Sequence, residues 1–177
     1  NALLKPALYR LAADQAAEKP VIDRERIVAA LEQKEFFVEF QPKIDLQTGE
    51  ICGAEALARW MTGEFGIISP DIFIPLVEQF GLMPELTQSI LSTAIADSRK
   101  LIQENPGFTV AVNVSGSLLS DLTLPERIEN ILREHNVAPE SLVVEVTESV
   151  AMSDVERAMD ILLRLRIKGV GTAIDDF

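Results

Sequence analysis

Polar side chains lie at the carboxyl ends of four apolar segments, and this feature constrains the fold more than any other in the sequence. The segments and their polar residues are 51–60 with Glu55, 109–115 with Asn113, 142–148 with Glu145 and 170–176 with Asp175. Because side chains alternate between the two faces of a strand, each polar residue points away from the apolar residues beside it. Strands this apolar are normally covered on both faces. The sequence therefore predicts polar groups aimed into an enclosed centre.

These four polar residues need partners if they are enclosed, because a polar side chain buried alone costs several kcal/mol. For any one position taken alone, the acid or amide could instead cap the next helix or face water. A divalent cation bound by oxygen ligands would satisfy all four residues at once. The repetition of the pattern on four strands therefore favours a shared oxygen-ligand site.

Composition narrows the classes of function. The 177 residues are 47% hydrophobic and 25% charged, which is typical of one globular domain or most of a larger one. The 16 basic and 28 acidic residues give a net charge of −12, which argues against a DNA or RNA polymer as partner but allows a small phosphate ligand. The single cysteine, Cys52, rules out an internal disulfide and suits the reducing cytoplasm, where we expect the protein to lie. No apolar run reaches the ~18 residues of a membrane span, and the start does not resemble a signal peptide.

Helix and strand signals divide the chain into a linker and one domain. Residues 3–19 carry Ala and Leu at helical spacing and Pro20 ends them, so 1–24 are predicted to form a linker helix, with the first two residues set aside. The domain is predicted to span 25–177. Its predicted strands are 36–45, 51–60, 109–115, 142–148 and 170–176, and its predicted helices are 24–34, 70–80, 84–104, 125–135 and 154–168.

The order of these elements predicts an α/β fold. The first two strands are joined by a tight turn and should pair antiparallel, whereas the later strands alternate with amphipathic helices, as parallel βα units do. An eight-stranded βα barrel needs about 250 residues and has its site at the carboxyl ends of its strands. We therefore predict a TIM-type βα barrel with an antiparallel first strand, incomplete in this chain. In it, 170–176 would be an open edge, and the apolar faces of 110–114 and 142–146 would lack part of their cover.

Six motifs, taken in order, resemble those of EAL domains, bacterial phosphodiesterases that linearise cyclic di-GMP. The motifs are Phe40-Gln41-Pro42, Glu55-Ala56-Leu57-Ala58-Arg59-Trp60, Ile68-Ser69-Pro70 with Phe73-Ile74-Pro75 and Gly81-Leu82, Asn113-Val114-Ser115, Glu145-Val146-Thr147-Glu148, and Asp175-Asp176-Phe177. The resemblance spans about residues 25–177. It implies metal-dependent hydrolysis of cyclic di-GMP to linear pGpG in bacterial second-messenger signalling.

The resemblance implies a metal centre made from the strand-end residues. Glu55, Asn113, Glu145 and Asp175 would ligate Mg²⁺ or Mn²⁺, and Asp176 would help to hold a second ion. Paired ions activate a water and stabilise charge on the phosphate. Asp176 could instead cap the next turn.

The resemblance also implies substrate contacts and a loop anchor. Arg59 would bind a substrate phosphate, which its guanidinium fork suits, and Gln41 would contact the dinucleotide. Glu148 would hold the loop that follows the last strand, and together with Glu55 and Asp176 it completes the set of implied catalytic residues. Two alternatives stay open: Arg59 could pair with a neighbouring Glu, and Glu148 could be solvated.

The chain departs from the family pattern in two respects. The family's later motifs, including a Lys and a Glu that work with the attacking water, have no counterpart before Phe177, so we expect this stretch alone to be inactive. Lys43 replaces a frequently aliphatic residue, a change that we interpret as minor. The alternatives to an enzyme are a cyclic di-GMP receptor without catalysis and an interaction module that mediates homodimerisation. An upstream sensory or receiver domain is also compatible with the linker.

Overall fold

The computed structural model describes residues 22–147 and 155–175. Its helices are α1 (Arg24–Glu32), α2 (Pro70–Gln79), α3 (Met83–Glu104), α4 (Leu124–His135) and α5 (Val155–Ile167). Its strands are β1 (Phe36–Ile44), β2 (Ile51–Thr62), β3 (Gly66–Ile68), β4 (Thr109–Asn113), β5 (Leu142–Thr147) and β6 (Gly171–Asp175). The predicted linker helix lies outside the described residues and stays a prediction. No described helix has the length and apolarity that a membrane crossing requires.

The strands form one mixed sheet in the order β1-β2-β4-β5-β6, with β3 paired to β2 outside this path. β1 runs antiparallel to β2, and the pairs β2–β4, β4–β5 and β5–β6 are parallel. The predicted α/β class and antiparallel first strand are therefore confirmed. The described strands do not close into a ring, as expected for an incomplete barrel.

The register of the parallel strands confirms the alternation that the sequence predicts. Val112 lies opposite Val144, and Asn113 lies opposite Glu145. On the next pair of strands, Thr147 lies opposite Asp175. Since residues opposite each other in a sheet share a face, the sheet has an apolar face and a polar face. We call them the helix-covered face and the inner face.

Helices α3, α4 and α5 bury the helix-covered face. Its six central side chains are at most 4% exposed; they are Val110, Val112, Val114, Leu142, Val144 and Val146. Leu86 and Ile90 of α3, Ile128 of α4 and Ile161 of α5 belong to the same core. The expectation that this face would lack part of its cover is therefore wrong, because the helices between the described strands already complete it.

One strand was missed by the sequence patterns, which predict five strands where the described residues form six. The short β3 pairs antiparallel with the end of β2, placing Ile68 opposite Trp60. Its turn depends on Thr62, whose hydroxyl accepts from the Phe65 amide at 2.9 Å and donates to the Gly66 carbonyl at 3.1 Å. Gly66 has a φ of +69°, a conformation that glycine adopts without strain. Three residues are too few for an alternation pattern to be recognised.

An aromatic cluster fixes the far end of β2 to α1 and α2. The ring of Trp60 lies 5.0 Å from that of Phe36 and 6.0 Å from that of Phe73. The indole donates to Glu35 Oε2 at 2.8 Å, and Arg26 of α1 donates to the same oxygen at 2.6 Å. Helix α1 itself begins as predicted, with Asp23 accepting from the amide of Arg26.

Candidate functional site

A cleft opens at the carboxyl edge of the sheet, where β2 extends beyond the end of β4. β2 pairs with β4 only from Gly53 to Ala56, whereas β2 continues to Thr62 and β4 ends at Asn113. The gap is a cleft of about 570 Å³, walled by β2, the end of β4, and helices α2 and α3. A volume of this size accommodates a small-molecule ligand. Predicted site residues Glu55, Arg59 and Asn113 line it.

Glu55 and Asn113 are in direct contact across the mouth of the cleft. Asn113 Nδ2 donates to Glu55 Oε1 at 2.6 Å, although 58 residues separate them in the chain. Glu55 is half-buried and Asn113 is exposed. Rotating the Asn113 amide by 180° would present its Oδ1 on the same side, and the two residues would then offer carboxylate and carbonyl oxygens to a cation.

Glu145 is the buried acid of the site. It is 5% exposed, which is unusual for a carboxylate unless it is paired. Its Oε1 accepts from the ammonium of Lys43. Its Oε2 is buried and has no hydrogen-bond partner among the described residues. A buried carboxylate oxygen without a donor is an open ligand position, so the residues present fit a bound cation.

These acids and the amide share one neighbourhood. Asn113 and Glu145 are opposite each other on adjacent strands, whose backbones are about 4.8 Å apart. Asp175 lies one pleat further along on β6, on the same inner face by register. The described side chains contain no group of three or more His, Cys, Asp or Glu placed to hold a metal. A cation site here would therefore need the amide of Asn113 as a ligand, together with Asp175, whose side chain lies outside the described structure.

Arg59 lies on the inner face with a carboxylate beside it. Its Nε donates to Glu39 Oε2 at 2.6 Å, and its Nη1 donates to the Ala58 carbonyl at 2.9 Å. The Arg59 side chain is 22% exposed and that of Glu39 is 53% exposed. The pairing with a neighbouring Glu, left open by the sequence, is thus the arrangement in this structure. Arg59 is also one of the residues that line the cleft.

Of the three remaining predicted site residues, one lies within the described structure and two lie outside it. Gln41 is exposed on β1, opposite Glu55 in the antiparallel register. Glu148 and Asp176 lie outside the described residues, so their implied roles stay predictions.

Lys43 and Glu39 are the residues that sequence reasoning missed. Lys43 was interpreted as a minor change, yet it contacts the most buried acid of the site. The signal was available in the alternation of β1: Glu39, Gln41 and Lys43 share one face. The antiparallel pairing of Gln41 with Glu55 then places all three on the inner face.

Comparison with known proteins agrees with this geometry. The EAL domain family model matches residues 24–177. The chain is 36% identical over 151 residues to the cyclic di-GMP phosphodiesterase RocR of Pseudomonas aeruginosa, covering 85% of this chain and 38% of RocR. The chain therefore spans well under half the length of that relative.

Two solved structures share the fold. One, described as PaMucR phosphodiesterase in complex with c-di-GMP, is 34% identical with a TM-score of 0.81, over 86% of this chain and 62% of that one. The FimX EAL domain from Pseudomonas aeruginosa bound to c-di-GMP is 27% identical with a TM-score of 0.74, over 85% and 60%. The resemblance found in the sequence and the TIM-type fold, here an incomplete barrel, are both confirmed, and the chain belongs to the EAL domain family.

Proposed function

We propose that this chain forms the first part of a metal-dependent phosphodiesterase that hydrolyses cyclic di-GMP to linear pGpG. The observation that supports it most is the convergence of Glu55, Asn113 and Glu145 on the inner face, with Glu145 Oε2 buried and without a hydrogen-bond partner in the described part of the chain. Oxygen ligands of this kind suit Mg²⁺ or Mn²⁺. The relatives RocR and MucR are named as phosphodiesterases, and the MucR structure contains c-di-GMP.

In this proposal the site residues have distinct tasks. Glu55, Asn113, Glu145 and Asp175 would hold a first ion, and Asp176 would contribute to a second. The ions would supply Lewis-acid activation of a water and of the phosphate. Every other task falls to protein groups.

Arg59 and Gln41 would bind the substrate. The guanidinium of Arg59, a residue that lines the cleft, would donate to a phosphate oxygen. Gln41, exposed on the neighbouring strand opposite Glu55, would contact the dinucleotide. Glu148 would anchor the loop after β6.

The experiment is substitution in the intact protein with two readouts, hydrolysis of cyclic di-GMP and its binding. Glu55→Ala should abolish hydrolysis because it removes a metal ligand. Glu50→Ala, in the exposed turn at the other end of β2, is the matched control and should leave hydrolysis unchanged. Hydrolysis by Glu55→Ala near the wild-type rate would contradict the assignment.

Arg59→Ala tests the substrate contact separately. It should weaken cyclic di-GMP binding by about 2 kcal/mol or more, the usual cost of losing a charged contact to a ligand. Arg133→Ala is its control, since the Arg133 side chain is exposed on α4 and donates to the Asn130 side chain at 2.7 Å. Binding by Arg59→Ala equal to that of the control would remove Arg59 from the substrate site.

A receptor that binds cyclic di-GMP without hydrolysing it is the second candidate. It is favoured by the FimX EAL domain structure, which is bound to c-di-GMP and is not named as an enzyme. Chromatography of the products separates the two candidates, because a receptor would bind the dinucleotide and release it unchanged. Failure to bind it at all would favour the interaction module. Homodimerisation, an upstream sensory or receiver domain and a cytoplasmic location remain predictions from the sequence.

A further inference from the structure

We propose that Lys43 is an internal counter-ion for Glu145, which holds this acid in the metal-free protein and is displaced when a divalent cation binds. The inference rests on the proposed metal site and adds a competitor within the chain. It assigns a task to a residue that the proposed chemistry does not use.

The contact requires strong curvature of the sheet. Lys43 is on β1 and Glu145 is on β5, and β2 and β4 lie between them in the strand order. In a flat sheet three strand spacings would separate β1 from β5 by about 14 Å. The ammonium nevertheless reaches the carboxylate. The inner face must therefore be concave, and Lys43 crosses this concavity to reach the buried Glu145.

The charge balance explains why Glu145 needs this partner. Its side chain is 6% exposed, and a carboxylate enclosed to this degree is costly unless a positive charge lies beside it. Lys43 supplies that charge to Oε1, while Oε2 has no donor among the described residues. Within this part of the chain the carboxylate is thus held by a single hydrogen bond.

The Lys43–Glu145 pair can separate by movement of Lys43. The Lys43 side chain is 39% exposed, and its long flexible stem allows the ammonium to move into water. Glu145 cannot move out in the same way because β5 lies between β4 and β6 in the described sheet and its side chain is buried. A divalent cation on Glu145 would repel an ammonium a few ångströms away. Cation binding and the Lys43–Glu145 bond therefore oppose each other: the ammonium lowers the affinity for the cation, and a bound cation drives the ammonium away from the carboxylate.

The test compares Lys43→Met with wild type in the intact protein, using Mn²⁺ as the probe and its electron paramagnetic resonance signal as the readout. The Met side chain keeps most of the volume and removes the charge. We expect Mn²⁺ to bind Lys43→Met at least about tenfold more tightly. The metal-free melting temperature should fall by at least about 3 °C, because Glu145 is left buried without a counter-ion.

Three further variants make the result interpretable. Lys100→Met removes the same charge from an exposed pair with Glu104 on α3 and should leave Mn²⁺ affinity unchanged. Lys43→Arg keeps the charge and should keep the affinity within about threefold of wild type. Lys43→Gln replaces Lys43→Met if the latter does not fold, because its amide can still donate to Glu145.

The outcomes separate this inference from the proposed function. If Glu145→Gln abolishes Mn²⁺ binding but Lys43→Met binds it with wild-type affinity or more weakly, the metal site stands and the competition is refuted. If wild type and Lys43→Met both bind no Mn²⁺, the metal site and the inference fall together. Tighter binding by Lys43→Met, with Lys100→Met and Lys43→Arg unchanged, supports the competition.

Discussion

The two faces of the sheet are made from the same strands and yet differ in almost every physical property. On β5, Leu142, Val144 and Val146 are at most 1% exposed among helix side chains. On the opposite face of the same strand, Glu145 is as enclosed as a core residue but depends on one lysine. The helix-covered face is satisfied by packing alone. The inner face contains charges whose partners are incomplete.

The two faces therefore have different tasks: the helix-covered face stabilises the fold, and the inner face contains the groups available for binding. Apolar packing is non-directional and is already complete on the helix-covered face. Charges on the inner face interact strongly because water is partly excluded, and an unfilled oxygen position there is a place for a ligand. We therefore expect substitutions on the helix-covered face to change folding, and substitutions on the inner face to change binding.

The largest expected effect is a difference in stability loss between substitutions at two adjacent residues of β5. Leu142→Ala should lower the free energy of unfolding by about 2–5 kcal/mol, because the fully buried side chain leaves a cavity. Val143→Ala, on the half-buried inner face, should cost no more than about 1.5 kcal/mol. Urea unfolding followed by circular dichroism measures both. Equal losses at the two positions would break the division of the sheet into a packing face and a chemical face.

An intermediate effect on the free energy of unfolding should come from the Glu35–Arg26 ion pair, which borders the helix-covered face. Burial, the largest single influence, raises the pKa of Glu35, but hydrogen bonds from Trp60 and Arg26 outweigh it and hold the pKa below its ordinary value of 4.5. A carboxylate whose pKa is lowered by folding stabilises the protein fully at pH values above its ordinary pKa. That stabilisation is lost as the pH falls through the lower pKa of the folded state. Glu35→Gln should therefore cost about 1 kcal/mol at pH 7.

The pH dependence gives this prediction its sharpest form. The stability gap between wild type and Glu35→Gln should be constant well above pH 4.5 and close as the pH falls below it. Urea titrations at several pH values, followed by the fluorescence of Trp60, the single tryptophan, measure the gap. A gap that is the same at pH 7 and pH 3 would show that the charge of Glu35 contributes nothing.

The smallest effect should come from the corresponding ion pair on the inner face, Arg59 with Glu39. Glu39 is half exposed, so the pair itself adds at most about 1 kcal/mol to folding. Under the proposed function, Glu39 also competes with the substrate phosphate for Arg59. Glu39→Gln should therefore raise cyclic di-GMP affinity by up to about fivefold, with a smaller gain at high salt.

Isothermal titration at two salt concentrations tests this prediction. Glu32→Gln, on the exposed end of α1, is a control for the change in net charge. A loss of affinity in Glu39→Gln would mean that Glu39 holds the guanidinium in its binding orientation instead of competing for it.

Much of the fold could be predicted because it depends on local patterns. The alternation in 109–115 and 142–148 predicts which side chains are covered, and the register of Val112 with Val144 and of Asn113 with Glu145 confirms it. The start of α1 followed from its capping residue, Asp23. Strand β3 could not be predicted, because three residues carry too little pattern and depend on the hydroxyl of Thr62.

The candidate site could be predicted in its residues but not in its contacts. Strand parity places Glu55, Asn113 and Glu145 on one face, and the motifs that contain them carry the resemblance to EAL domains. Parity does not say how far apart two strands are in space. The contact of Glu55 with Asn113 depends on the pairing of β2 with β4, across 58 residues of chain.

The sequence by itself determined the family, the alternation of the strands and the identity of the polar residues, because each is encoded in neighbouring positions. Only the tertiary structure decided that Lys43 meets Glu145 and that Arg59 meets Glu39. The first contact joins strands that are three places apart and arises from the curvature of the whole sheet. Curvature is a sum of small twists over all the paired strands, so no single segment of sequence contains it.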